Sequence, residues 1–133
     1  MVGPLADSRS NMPGTWSVAA VLKNATSLAE GLKAVAGGKA EILTAKGCNL
    51  MSDAEYEKRA TMFGRSLHRD NRSDKELLDE ALAVAAKSDV IVAALGESSE
   101  MSGESSCRTN LEMTDTQRIL LQELLKTGKP VVL

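Results

Sequence analysis

A short apolar run at residues 90–95, VIVAAL, constrains the fold of this chain more than any other stretch. The run is too short for a helix and rich in β-branched residues, which is typical of a strand buried on both faces of a parallel sheet. Gly96 ends the run, and a polar loop rich in Ser, Gly and Glu follows it. Parallel strands need long crossover connections, which are usually helices. The run therefore predicts an α/β fold.

Helical and strand-like segments alternate along the rest of the chain. Apolar runs predict three further strands, at residues 1–4, 40–45 and 131–133. The sequences SDKE at 73–76 and TDTQ at 114–117 have the form of capping boxes and predict the starts of two helices. The residues from about Ser17 onward include a third, amphipathic helix that should end near residues 37–38, and Gly128 should follow the end of the last helix. The predicted buried faces are Ala25, Leu28, Leu32 and Val35, then Leu77, Ala81, Val84 and Ala85, then Ile119, Leu120, Leu124 and Leu125.

These segments predict a three-layer αβα sandwich with a mostly parallel sheet. Residues 52–72 are highly charged and lack a clean period, so we expect a surface excursion there, with room for a short helix. The length of 133 residues corresponds to one domain, but residues 1–4 and 131–133 have the character of strands cut part-way. We therefore expect residues 1–133 to be a partial αβα-sandwich domain, truncated at both ends, that associates through its unpaired strand edges.

The composition excludes several classes of function. A formal net charge of -2, with Lys and Arg scattered along the chain, argues against nucleic acid as a partner. No apolar stretch reaches membrane-spanning length, and neither a phosphate-binding glycine motif nor a GxSxG elbow occurs. Cys48, Cys107 and the single His68 do not have metal-ligand spacing. A disulfide requires that the fold bring the two cysteine loops together, and two ordinary thiols are the simpler expectation.

The polar loop after Gly96 contains the main candidates for chemistry, because ligands of open α/β sheets bind beyond the carboxyl ends of strands. Glu104 lies among Gly and Ser residues and could project into a cleft, where a carboxyl group can donate a proton to a leaving group. The alternative is a solvated surface glutamate. Glu97 could brace the loop by accepting amide hydrogen bonds. Arg108 could orient Glu104, bind a substrate hydroxyl, or balance the charge of the loop.

Two further segments could line the same crevice. Trp16, within GTWS, could be an exposed aromatic surface on which a sugar ring or a base stacks, or it could be a core residue. Residues 46–49, KGCN, could line the crevice as well, although a tight turn that requires Gly is the simpler account.

Six sequence blocks together resemble a known family. They are VGPLADS at 2–8, GTWS at 14–17, AKGCN at 45–49, SDVIVAALGE at 88–97, ESSCRTNLEM at 104–113 and TGKPVVL at 127–133. Their order and spacing resemble the αβα-sandwich domain of glycoside hydrolase family 3, and most of all that of bacterial β-glucosidases of the periplasmic type. The resemblance extends from one end of the chain to the other and is weakest at residues 52–72.

The resemblance implies a role for this domain in a larger enzyme. In the family an N-terminal (β/α)-barrel domain supplies an aspartate nucleophile, and the sandwich domain supplies the general acid/base, which falls on Glu104. Glu97 and Glu100 are lesser candidates for that role. The tryptophan of the aromatic clamp at the aglycone subsite falls on Trp16. Arg108, from its place in the loop and not from the resemblance, is expected to contact substrate.

The implied activity is retaining hydrolysis of terminal β-D-glucosyl residues from a β-glucoside or oligosaccharide, by two carboxyl groups about 5–5.5 Å apart. The resemblance implies no metal or organic cofactor and a location in the periplasm or outside the cell, and this chain alone is expected to be inactive. Two other interpretations stay open. One is a non-catalytic, flavodoxin-like binding or regulatory module, and the other is a structural family member whose glutamate has another use.

Overall fold

The computed structural model describes residues 1–59, 68–104 and 106–133. The helices within these residues are α1 (Leu28–Ala36), α2 (Ala54–Arg59), α3 (Asp74–Ala86) and α4 (Asp115–Lys126), and the strands are β1 (Ile91–Val92) and β2 (Val131–Val132). Short 3₁₀ turns lie at Leu22–Asn24 and Ser99–Met101. None of the helices described has the length and hydropathy needed to cross a membrane.

The strands form the expected parallel sheet. β1 pairs with β2 in parallel, with Ile91 opposite Val131. Val2 forms two further parallel bridges, one to Ala45 and one to Ala93. The order across the sheet is therefore the segment at Ala45, the segment at Val2, β1 and then β2. Of the predicted strand at residues 40–45, only Ala45 pairs in this way within the described chain.

Helices cover both faces of this sheet, which confirms the three-layer αβα sandwich. Helices α3 and α4 pack on one face, where the buried cluster consists of Val2, Ala45, Cys48, Ala81, Ala85, Ile91, Ala93, Leu120 and Leu124. Helix α1 packs on the other face, where the cluster consists of Met1, Ala6, Ala29 and Ala94, with Leu32 and Val92 against it. Residues 91–94 alternate between the two clusters, as side chains of a strand must.

The strand order places a topological switch point at the centre of the sheet. The crossover through α1 leads outward from the Val2 segment, whereas the crossover through α3 leads back past it to β1. Right-handed crossovers in opposite directions place their helices on opposite faces. The switch point lies between the carboxyl ends of the Val2 segment and β1, which is where ligands bind in open α/β sheets.

The helix predictions are confirmed to different degrees. The capping box at 73–76 is present, since the Ser73 side chain accepts from the Glu76 amide and the Glu76 carboxylate accepts from the Ser73 amide.

In α4 the inward residues are Leu120 and Leu124, whereas Ile119 and Leu125 are at least half exposed. The C-terminal glycine prediction for α4 is confirmed, because residue 128 has a φ of 71° directly after the cap. In the charged excursion, α2 is the short helix expected, and residues 60–67 lie outside the described residues.

The first helix is shorter than the amphipathic pattern suggested, and its buried face differs. It begins behind a capping box at Ser27 that was not predicted. The Ser27 hydroxyl donates to Asp7 Oδ1 at 2.8 Å, and the Ala29 amide donates to the Ala6 carbonyl at 2.9 Å. These contacts fix the rotation of α1 so that Ala29 faces the core. The prediction that Leu28 and Val35 are buried is wrong, because they are 45% and 85% exposed.

The two cysteines are separate free thiols, one buried and one exposed. Burial raises the pKa of the Cys48 thiol to about 12, so almost none of it is thiolate near neutral pH. We predict that a thiol reagent at pH 8 modifies Cys107 rapidly and Cys48 only on unfolding. Substitution Cys107→Ser should remove the rapid phase, and the matched variant Cys48→Ser should retain it. Two equally rapid phases in the wild type would contradict this assignment.

Candidate functional site

The loop at residues 97–108, here called the acidic loop, follows β1 at the switch point. Its three glutamates lie in different surroundings. Glu97 is exposed and forms an ion pair with Arg108. Glu100 lies in the 3₁₀ turn and is only 6% exposed. Glu104 is exposed on a turn and forms no salt bridge with any residue that the structure describes. Of the three, Glu104 is therefore the exposed carboxylate that no salt bridge among the described residues engages.

Trp16 lies beside this turn. The tryptophan is 66% exposed, so the interpretation as a core residue is wrong. A Cβ atom added at Gly103 would lie 3.4 Å from Trp16 Nε1 and 3.3 Å from Thr15 Cγ2. The indole therefore borders the residue directly before Glu104. An exposed aromatic side chain thus lies beside the turn that carries the exposed Glu104.

Side-chain hydrogen bonds hold the Trp16 segment against the acidic loop. The Thr15 hydroxyl donates toward the Ser99 carbonyl and toward the Ser102 carbonyl, the latter at 3.0 Å. The Ser99 amide donates to Asn11 Oδ1 at 2.9 Å. Thr15 and Asn11 were not among the predicted site residues, although Thr15 belongs to the GTWS block. Polar contacts between residues more than 80 positions apart leave no local pattern to detect.

The second predicted capping box, at 114–117, is wrong in its hydrogen bonds. The Thr114 side chain does not cap α4 but donates to the Leu50 carbonyl at 2.6 Å. The Gln117 side chain is fully buried and bonds to both backbone groups of Gly96 and to the Thr114 hydroxyl. The signal for Gln117 was available in the sequence, because it shares the inward face of α4 with Leu120 and Leu124 at helical spacing.

Arg108 closes the acidic loop. Besides its ion pair with Glu97, its guanidinium donates to the carbonyls of Asn110 and Glu112 at 3.2 and 2.9 Å. None of the contacts described joins Arg108 to Glu104. Glu97 therefore braces the loop as expected, although it does so through an ion pair and not through amide hydrogen bonds.

Residues 46–49 form a tight turn and also border a cleft. Gly47 has a φ of 77°, and a Cβ there would lie 2.7 Å from Leu120 Cδ2, so the turn requires glycine. Lys46 Nζ donates to Asn49 Oδ1 at 2.9 Å and to the His68 carbonyl at 2.7 Å, and burial lowers the pKa of its ammonium group. Lys46 lines a cleft of about 570 Å³ to which no described residue of the acidic loop contributes. Trp16 does not line this cleft either, whereas Asn11, which accepts from the Ser99 amide of the acidic loop, does.

The residues brought together can exchange a proton beside an aromatic surface. In the part of the chain that the structure describes, no group of three or more His, Cys, Asp or Glu side chains is arranged to hold a metal ion. The turn that carries Glu104 is held from the side by Thr15 and at its base by the Glu97 and Arg108 pair. This arrangement suits a general acid or base that acts on a flat, partly apolar ligand.

Comparison with known proteins identifies the class to which this fold belongs. The family described as "Glycosyl hydrolase family 3 C-terminal domain" matches residues 1–133. The chain belongs to this family.

Individual relatives agree with this class. Over its full length the chain is 39% identical to a periplasmic β-glucosidase of Salmonella typhimurium and spans 17% of that protein. It is 30% identical to a lysosomal β-glucosidase of Dictyostelium discoideum, of which it spans 15%, and 28% identical over 99% of its length to a β-xylosidase of Formosa agariphila, of which it spans 16%. A solved β-glucosidase involved in saponin metabolism from intestinal bacteria superposes with a TM-score of 0.69 and 28% identity, over 98% of this chain and 19% of that one. The chain thus corresponds to about a sixth of each curated relative.

Proposed function

We propose that this chain is part of a retaining β-glucosidase, in which Glu104 is the general acid/base and Trp16 binds the aglycone. The observation that carries the proposal is the position of exposed Trp16 against Gly103, directly before the exposed carboxylate of Glu104, at the switch point of the sheet. Relatives named β-glucosidase support the substrate class. A relative named β-xylosidase makes terminal β-xylosyl residues the second candidate.

The mechanism divides between this chain and a second domain. Glu104 protonates the glycosidic oxygen as the bond to the leaving group breaks, and its carboxylate then removes a proton from the attacking water. Retention needs a second carboxyl group about 5–5.5 Å away as the nucleophile. We propose that an N-terminal barrel domain of the same protein supplies it as an aspartate. On this account residues 1–133 alone are catalytically silent.

The two neighbours of Glu104 have distinct roles in this proposal. Trp16 presents its exposed indole to the aglycone, so that an aromatic or sugar leaving group stacks where Glu104 can protonate it. Arg108 holds the base of the acidic loop through Glu97. Direct contact of Arg108 with a substrate hydroxyl stays a prediction. The proposal needs no metal or organic cofactor, since both steps use carboxyl groups.

The remaining interpretations differ in measurable ways. A flavodoxin-like binding module has no support in family membership, and a structural member with a repurposed glutamate would lose nothing when Glu104 is replaced. The periplasm is the proposed location, on the strength of the Salmonella relative's name. Neither nucleic acid nor a membrane is a proposed partner.

We predict that the full-length enzyme hydrolyses an aryl β-glucoside with release of the β-anomer of glucose. Two inversions at the anomeric carbon give net retention. Proton NMR on a fresh reaction, before mutarotation, distinguishes the anomers, and an aryl α-glucoside is the control that should stay intact. Release of α-glucose first, or no turnover of the β-glucoside, would contradict the proposal. Faster turnover of an aryl β-xyloside would reassign the substrate to xylosides.

A further inference from the structure

Gln117 is a polar side chain in an otherwise apolar position. It is 0% exposed and lies one turn before Leu120 on the inward face of α4. Burying a side-chain amide without hydrogen bonds costs free energy. A Gln in a core is therefore expected where specific groups form hydrogen bonds with its amide. The partners of Gln117 are therefore informative about its role.

The amide of Gln117 pairs with both backbone groups of Gly96. Gly96 N donates to Gln117 Oε1 at 2.8 Å, and Gln117 Nε2 donates to Gly96 O at 2.8 Å. Nε2 also donates to Thr114 Oγ1 at 2.8 Å and lies 3.3 Å from the Leu50 carbonyl. The side chain thus fixes both the position and the orientation of one peptide segment.

Gly96 is the residue from which the acidic loop departs. The next residue, Glu97, pairs with Arg108 at the other end of the loop, so a fixed Gly96 also fixes the base of the loop. Glu104 lies between these two ends on an exposed turn. A shift at Gly96 would therefore be transmitted to the carboxylate that must reach the leaving-group oxygen.

We infer that Gln117 is a positioning residue for the general acid/base, an inference that rests on the proposed function of Glu104. Gln117 does not face substrate. It holds Gly96, the residue directly before the acidic loop, in the position from which Glu104 can transfer a proton to the leaving group. A displacement of about 1 Å in a catalytic group can cost on the order of 100-fold in rate.

The test uses the full-length enzyme and two aryl β-glucosides, one with a phenol leaving group and one with dinitrophenol. Only the poor leaving group requires protonation as it departs. Substitution Gln117→Met, which keeps length but removes the amide, should lower kcat/KM for phenyl glucoside roughly 10- to 100-fold and for dinitrophenyl glucoside less than about 3-fold. Gln117→Glu, which can still accept from Gly96 N, should fall between wild type and Gln117→Met for phenyl glucoside.

Thr116→Val is the matched control. Thr116 lies in the same turn of α4, is buried, and donates to the Asn49 carbonyl at 2.9 Å. The substitution therefore removes a comparable buried hydrogen bond without touching Gly96. Thr116→Val should lower kcat/KM for both substrates by the same small factor. An equal loss on both substrates in Gln117→Met and Gln117→Glu would overturn the inference.

A parallel measurement on Glu104→Gly distinguishes failure of the proposed function from failure of the positioning role of Gln117. If that variant also lacks selective loss on phenyl glucoside, the proposed function fails. If it shows the selective loss and the Gln117 variants do not, only the positioning role of Gln117 fails.

Discussion

Replacement of Glu104 by Gly should lower kcat/KM of the full-length enzyme for phenyl β-glucoside by about 10²–10⁴-fold, the usual contribution of a general acid. The loss should be far smaller for dinitrophenyl glucoside, because that leaving group departs without a proton. Because Glu104 is exposed and outside any salt bridge of the described residues, its removal should leave no charged partner unpaired among those residues. Stopped-flow or steady-state release of the phenols provides the measurement.

The neighbouring carboxylates provide controls for this result. Glu97→Gly removes the partner of Arg108 and should loosen the base of the acidic loop, which gives a smaller, less leaving-group-dependent loss. Glu100→Gly removes a buried side chain and should act mainly on stability. A leaving-group-dependent loss that is larger in Glu97→Gly or Glu100→Gly than in Glu104→Gly would transfer the acid/base role to that residue.

Substitution Gly3→Ala should destabilise the fold by about 2–5 kcal/mol, from overpacking and a strained backbone together. An ideal Cβ at Gly3 would lie 2.1 Å from the Ala94 carbonyl oxygen and 2.7 Å from its carbon, and φ at this position is 142°. The obstructing atoms are backbone, so relief requires the Val2 segment and β1 to separate at this point. Urea unfolding followed by circular dichroism measures the loss.

Gly128→Ala is the matched control for this prediction. Its φ is 71°, and a Cβ there meets nothing within 4 Å, so only the backbone preference is lost, at about 1 kcal/mol. A Gly3→Ala variant no less stable than Gly128→Ala would mean that the close approach of the two central segments does not exist in solution.

The sheet and α3 could be predicted because their signals are local. Residues 90–95 carry an apolar, β-branched run, and Ser73 with Glu76 forms a capping box whose partners lie three residues apart. The same local pattern at Thr114 failed. There the Thr114 hydroxyl donates to the carbonyl of Leu50 and does not cap the helix. Leu50 is 64 residues away in sequence and is brought close only by the fold.

The candidate site shows the same division between local and long-range information. Family resemblance pointed to Glu104 and Trp16 separately, but their proximity depends on the contact of Thr15 with Ser102, 87 residues apart. The role of Gln117 was hidden for the same reason, because its partner Gly96 belongs to another element. The rotation of α1 likewise follows from tertiary contacts and not from its amphipathic spacing.

Azide rescue of Glu104→Gly in the full-length enzyme tests the central claim most directly. A small anion can occupy the space left by the carboxylate and attack the glycosyl-enzyme without base catalysis. We predict that azide accelerates turnover of dinitrophenyl glucoside by this variant and that NMR identifies the product as β-glucosyl azide, with no such effect on the wild type. A variant that stays fully active and indifferent to azide would contradict the assignment of Glu104 as the acid/base.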